Sequence, residues 1–190
     1  MDTAAQSELR AQLKQHRRNL LKHLQHASEF LVRCQVLEPY VEKGSLRGTV
    51  CPWEIATADP LGFTIFEDFH DTLQAIWVWS YYTYKSHRST FLLHIKSAWD
   101  YILKNFHRFI PPSNQNQGLY DSAHLLNTAL IYKQTFADNF LHTWVEEAGN
   151  RLAIHLDTLR RARGRSYSDP WWMTYCLASA AQEFGFSKMG

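Results

Sequence analysis

Charge of one sign, paired cysteines and long hydrophobic runs are all scarce in this sequence, and each scarcity excludes something. Lys and Arg exceed Asp and Glu by only two among 190 residues, so the strong electrostatic footprint that carries nucleic-acid or membrane binding is missing. The longest apolar run, residues 73–84, is broken by Gln74 and Ser80 and is too short to cross a bilayer. Residues 1–13 hold Asp2, Glu8 and Arg10 without an apolar h-region, so no secretory signal is expected. Cys34, Cys51 and Cys176 are odd in number and lack metal-site or redox spacing. That fits reduced thiols and a cytoplasmic location. A Gly-rich phosphate loop, His-Glu-x-x-His and Gly-x-Ser-x-Gly are also missing, which removes the reaction classes built on them. No cofactor and no metal are expected.

Aromatic residues, by contrast, are plentiful. With 7 Trp, 9 Tyr and 11 Phe the chain is not of the disordered type, and its length suits one domain with an ordinary core. The apolar residues carry an internal repeat. Residues 69–82, 119–132 and 167–180 align without gaps, each with an apolar or aromatic lead-in, an Asp and a nearly all-apolar stretch. The aspartates are Asp71, Asp121 and Asp169, 50 and 48 residues apart. A second register agrees, because Ala98-Trp-Asp-Tyr-Ile-Leu matches Ala148-Gly-Asn-Arg-Leu-Ala at the same spacing of 50.

Each repeat reads as two helices. The first, residues 71–84, is apolar nearly all round, as a helix covered on several sides must be. The second, 90–109, places Phe91, Ile95, Ala98, Ile102 and Phe106 on one stripe and Lys96, Asp100 and Lys104 on another face. The next pair, 121–132 and 140–159, repeats the contrast, with Leu141, Val145, Ala148, Leu152 and His155 on the outer helix's stripe. Residues 111–118 and 160–168 read as breaker loops. A long helix over 7–37 precedes the repeats, with Leu9, Leu13, Leu20, Leu24, Ala27 and Leu31 on one side and Lys14, Arg17, Arg18, Lys22 and His23 on the other. The expected organisation is therefore an N-terminal helix (1–37), a long loop (38–66) of the length that marks a lid or binding loop, and helical-hairpin repeats (67–190), forming one domain.

The stretch Thr128-Ala-Leu-Ile-Tyr-Lys-Gln-Thr-Phe-Ala-Asp-Asn-Phe-Leu141, followed by Glu147-Ala-Gly-Asn-Arg-Leu152, resembles the repeat unit of six-hairpin glycosidases and related sugar epimerases and lyases. The chain departs from that unit at Phe136, where the family has Gly, and across residues 83–91. Terpenoid cyclases and protein prenyltransferases share the architecture, but neither their Asp-x-Asp-Asp signature nor their zinc-ligand set is present. The resemblance covers residues 66–190. It implies an all-α fold with about two and a half hairpins of an α/α-toroid, a partial barrel whose open end is closed by a second copy or a partner subunit, or a piece of a longer protein.

Parallel inner helices would gather their N-termini on one rim. That rim would bring together Asp68, His70, Asp71, Tyr120, Asp121, His124, Asp169, Trp171 and Trp172, with Glu54 arriving from the long loop. Asp68, Asp121 and His124 are the candidate acid–base residues, and the others are candidate substrate-binding residues. Carboxylates among aromatic rings suit carbohydrate, since rings stack on C–H faces while acids take hydroxyls or move protons. Asp121 and His124, at i and i+3, are also spaced for a metal. Helix capping explains the three repeated aspartates without any substrate: each stands at an expected N-cap, Asp71-Thr-Leu-Gln74 reads as a capping box, and Asp169-Pro170 puts Pro at the first helical position. Trp171 and Trp172 suit core packing as well as a stacking platform, and the cluster Arg160, Arg161, Arg163 and Arg165 reads as solvated charge. Two functions follow as expectations. One is binding or processing of a small molecule or glycan, as a hydrolase, lyase or epimerase if an enzyme. The other is a non-catalytic helical-repeat interaction module. Isoprenoid binding is a third. Neither nucleic acid nor membrane is an expected partner.

Overall fold

The structure is a computed structural model that describes residues 3–35, 48, 50, 69–110, 119–163 and 171–186. The expected all-α class holds for these residues, which form six helices and a single isolated bridge between Gln35 and Val50. In chain order they are α1 (Thr3–Arg33), α2 (Phe69–Ser86), α3 (Leu92–Phe109), α4 (Leu119–Phe136), α5 (His142–Arg163) and α6 (Trp171–Phe184). None of them is long and apolar enough to cross a membrane.

The repeat seen in sequence is a repeat of backbone conformation. α2 and α4 are each 18 residues long and start 50 residues apart. Each stops on a residue in the left-handed region, His87 (φ 58°) after α2 and Ala137 (φ 53°) after α4. Their N–H groups donate to the carbonyls of Thr83 and Lys133, both at 2.8 Å, which satisfies a carbonyl that the helix end would orphan. α6 ends the same way at Gly185, with φ 71° and a bond to the Ala181 carbonyl. After the turn, Phe91 and Leu141 are both buried at the entry to the outer helices. The outer stripe Ile95, Ala98, Ile102 and Phe106 is fully buried, as are Val145, Ala148 and Leu152 fifty residues on. The second stripe ends on buried Leu156, not on His155, which is half-buried. The outer helix also runs on to Arg163, so the loop expected from residue 160 starts later.

The inner helices run parallel. Thr128 Oγ1 on α4 donates to the Leu73 carbonyl of α2, and Thr135 Oγ1, seven residues on, donates to the Ser80 carbonyl, which also lies seven residues on. Matching steps in the same direction are possible only for parallel helices at close approach. α4 packs on α2 at this seam and α6 packs on α4 beyond it. Lys133 near the end of α4 donates to the Glu183 carbonyl near the end of α6, so that pair is parallel too. α3 packs on α2, while α5 packs on both α4 and α6. The outer helices meet through Phe106 and Trp144, whose ring centroids are 4.9 Å apart.

α1 joins this array by its second half only. Leu24, Leu31 and Val32 pack on the core, and the Trp79 indole N–H donates to the Ser28 carbonyl at 3.0 Å. Gln35 then ties the end of α1 to α3 through the His94 carbonyl and ring, and to Gly48 through its carbonyl. Gly48 (φ +97°) lies so close to α3 that a Cβ would stand 2.0 Å from the Ser97 carbonyl oxygen. The N-terminal half of the expected apolar stripe is not covered: Leu9 and Leu13 are more than half exposed, and so is Leu20, which faces an open concavity shared with Tyr81 and Lys85 of α2.

The three equivalent turns make a signed test. An L side chain in the left-handed region costs about 1 kcal/mol, partly offset by the extra freedom that Gly has when unfolded. Ala137→Gly is therefore expected to stabilise the chain by roughly 0.5–1 kcal/mol, and Gly185→Ala, whose Cβ would meet nothing within 4 Å, to destabilise it by about as much. Urea denaturation of the two variants checks both signs.

Candidate functional site

Parallel packing places the first turns of α2, α4 and α6 side by side, and a row of rings crosses them. The His70 ring of α2 meets the His124 ring of α4 edge-on with centroids 4.0 Å apart. His124 in turn contacts Trp172 of α6 at 5.1 Å, and Trp172 contacts Tyr120 of α4 at 5.8 Å. Four of the sequence-expected rim residues, from three helices, thus form one contiguous cluster. Trp172 is half-buried and its neighbour Trp171 projects into solvent at 79% exposure, so the tandem splits into a packed ring and a free one. Tyr120 is also exposed.

The aspartates stand differently from expectation. Asp71 and Asp121 are each the third residue of their described helix, not its N-cap. At that position a carboxylate still favours the positive end of the helix, and both side chains are half-buried. Nor does Gln74 close a capping box: its Nε2 approaches His70 Nε2 one turn back and so holds that ring against His124. The cause lies partly in Phe69, which is buried and stacked on Phe109 at 4.7 Å. Its burial extends α2 to include residues ahead of Asp71. Glu54, Asp68 and Asp169 lie outside the described residues, as do residues 111–118 and the long loop apart from Gly48 and Val50.

Burial pushes the His124 imidazole down to about 4, and the neighbouring His70 ring adds to the effect. At neutral pH it is an uncharged ring, able to give one hydrogen bond and accept another but a weak base. No three His, Cys, Asp or Glu side chains among the described residues stand close enough to share a metal ion. The rim therefore offers neutral hydrogen bonding, aromatic faces and the adjacent carboxylates of Asp71 and Asp121. The part of this arrangement that sequence reading missed is the Gln74–His70 contact. Its signal was present in the i, i+4 spacing, but the capping-box reading absorbed Gln74.

Compared with protein-family models, curated proteins and solved structures, the chain matches none.

The His124 environment makes stability depend on pH. The unfolded chain takes up a proton there near 6.5, while the folded chain holds it off until about 4. Folding stability is thus complete above that window and is lost as pH falls through it. Burial lowers His94 and His155 as well, so the readout is a difference. The drop in Tm between pH 7.5 and 4.5 is expected to be smaller in His124→Gln than in the parent chain, and equal drops would overturn the assignment.

Proposed function

We propose that the chain is an arc of an α/α-toroid whose inner-helix rim binds a carbohydrate. The observation that carries this reading is the unbroken row His70–His124–Trp172–Tyr120 across the first two turns of three inner helices. Exposed Tyr120 and Trp171 supply flat apolar faces for sugar C–H groups. Neutral His124 and the carboxylates of Asp71 and Asp121 supply the few polar contacts that orient hydroxyls. If the site is also catalytic, Asp121 with Asp68 is the acid–base pair of a hydrolase, lyase or epimerase, and His124 positions the substrate. Buried thiols at Cys34 and Cys176 support a reducing, cytoplasmic setting.

Titration with a panel of neutral mono- and oligosaccharides, followed by calorimetry and Trp fluorescence, tests this reading. Trp171→Leu is expected to weaken the best sugar by about tenfold, in line with the loss of one stacked aromatic. Sugar affinity retained in a folded Asp68→Ala/Asp121→Asn variant counts against the rim, as does a panel with no binder.

One observation favours a second reading, a helical-repeat module that takes a further helix on α6. Trp171, Tyr175 and Ala178 are exposed on α6, yet they stand at the repeat positions of Leu73, Trp77 and Ser80 on α2, along the flank where α4 packs. Leu73 and Ser80 are fully buried there. A second copy of the chain is the proposed occupant. Light scattering is expected to give twice the chain mass, reduced to one by Tyr175→Glu, and a single chain mass for the parent ends this reading.

A further inference from the structure

The far end of α2, away from the rim, carries a different feature. There α1 overhangs the last turn of α2 and the two helices enclose an open groove of about 520 Å³. From α1 come Lys14, Arg17, Arg18 and Lys22, spaced to share one face of the helix. From α2 and the turn after it come Lys85, His87 and Arg88. Among the described residues no Asp or Glu lines the groove, and none of its six Lys and Arg residues forms an ion pair with any of them. Six positive charges thus gather in one place on a chain whose net charge is only +2.

Neither helix stability nor turn geometry requires this. The carbonyl end of a helix is worth about half a negative charge, which one or two cations complement. The equivalent turn fifty residues on has the same backbone but carries Thr135, Ala137 and Asp138 where this one has Lys85, His87 and Arg88. The charge is therefore peculiar to the first hairpin, and an anion between the two basic faces would relieve their mutual repulsion.

The groove does not stand alone. A second concavity, of about 740 Å³, adjoins it and shares Arg17, Leu21 and Lys85. Leu20, Leu24, Ala27 and Tyr81 give it an apolar lining, and the leucine stripe of α1 runs on past it to the exposed Leu13 and Leu9. The pair is amphiphilic: one compartment for anionic oxygens, the next for hydrocarbon. An extended nucleic acid would need free rings to stack on. Here Tyr82 is buried, and Lys85 lies over Tyr81 and Tyr84 at 5.3 and 4.8 Å.

We propose that this end of the molecule binds an anionic phospholipid at a membrane surface, with the headgroup phosphates among Arg17, Arg18, Lys85 and Arg88 and acyl carbon against Leu20, Leu24 and Tyr81. A basic helix with a leucine stripe along one side has the pattern of a surface-lying helix, and the binding is additional to the rim and independent of it. Such binding departs from the expectation of no membrane partner, which rests on overall net charge and not on where the charges lie.

Vesicle co-sedimentation tests this with the full chain. Binding is expected to vesicles of phosphatidylcholine containing one-fifth phosphatidic acid or a phosphorylated phosphatidylinositol, and not to phosphatidylcholine alone. Arg18→Glu/Arg88→Asp is expected to weaken it by at least about tenfold, since each cation near an anionic surface contributes several-fold. The Asp at residue 88 is what the second turn already carries, so folding is preserved and circular dichroism checks it. Leu13→Asn/Leu20→Asn removes vesicle binding while sparing the charges. Three results would each overturn the proposal: binding of soluble inositol hexakisphosphate or of an RNA oligonucleotide without vesicle binding, equal binding to neutral and anionic vesicles, or no vesicle binding at all.

Discussion

Two threonine hydroxyls on α4, seven residues apart, reach carbonyls seven residues apart on α2. That contact requires parallel helices at close approach, and both helices carry small buried residues along their length. Ala75 and Ser80 on α2 and Ala123 and Ala129 on α4 are all fully buried. The small side chains have a cost, since the Ser80 and Thr83 hydroxyls are buried without a partner among the described residues, at about 1–3 kcal/mol each. What the close seam provides is direction. Parallel inner helices force each connection to return along the outside, so α3 and α5 become outer helices and the first turns of α2, α4 and α6 converge on one rim.

Much of this was legible in the residues. The period of fifty, the buried inner and amphipathic outer helices and the stripe from Phe91 to Phe106 all follow from hydrophobic spacing, and all survive into three dimensions. The errors share a physical cause, which is that tertiary contacts move helix ends. Phe69 stacks on Phe109 and brings Asp71 inside the helix, although Asp71 is a good cap by local rules. Leu156 takes the place on the core stripe that His155 occupies by simple counting. On α1 the leucine stripe continues past the point where α2 can cover it, and no periodicity on α1 alone reveals where its partner stops.

The site was legible as a set of residues but not as a set of contacts. His70, Tyr120, His124 and Trp172 were nameable because the repeat aligns them. That His124 is wedged between His70 and Trp172, and so kept neutral, depends on the distance between helices. The basic groove shows the same limit more sharply. Each half is visible as a run of cations, and the total charge of +2 conceals both. Their encounter is set by Trp79 holding α1 across α2 through the Ser28 carbonyl.

The consequence of stacking one helical pair on the next reaches beyond geometry. Each inner helix packs on its immediate neighbours, and the buried side chains join in one hydrophobic cluster that runs the length of the array. α4, covered by α2, α5 and α6, and α2, covered by α1, α3 and α4, are its best-supported members. Among the described residues the first half of α1 and the outer face of α6 are the most exposed, the condition that favours local opening. The rim and the basic groove therefore sit on differently supported segments: the rim draws Tyr120 and His124 from a helix packed against three others, while the groove draws four of its six cations from α1, whose first half is exposed.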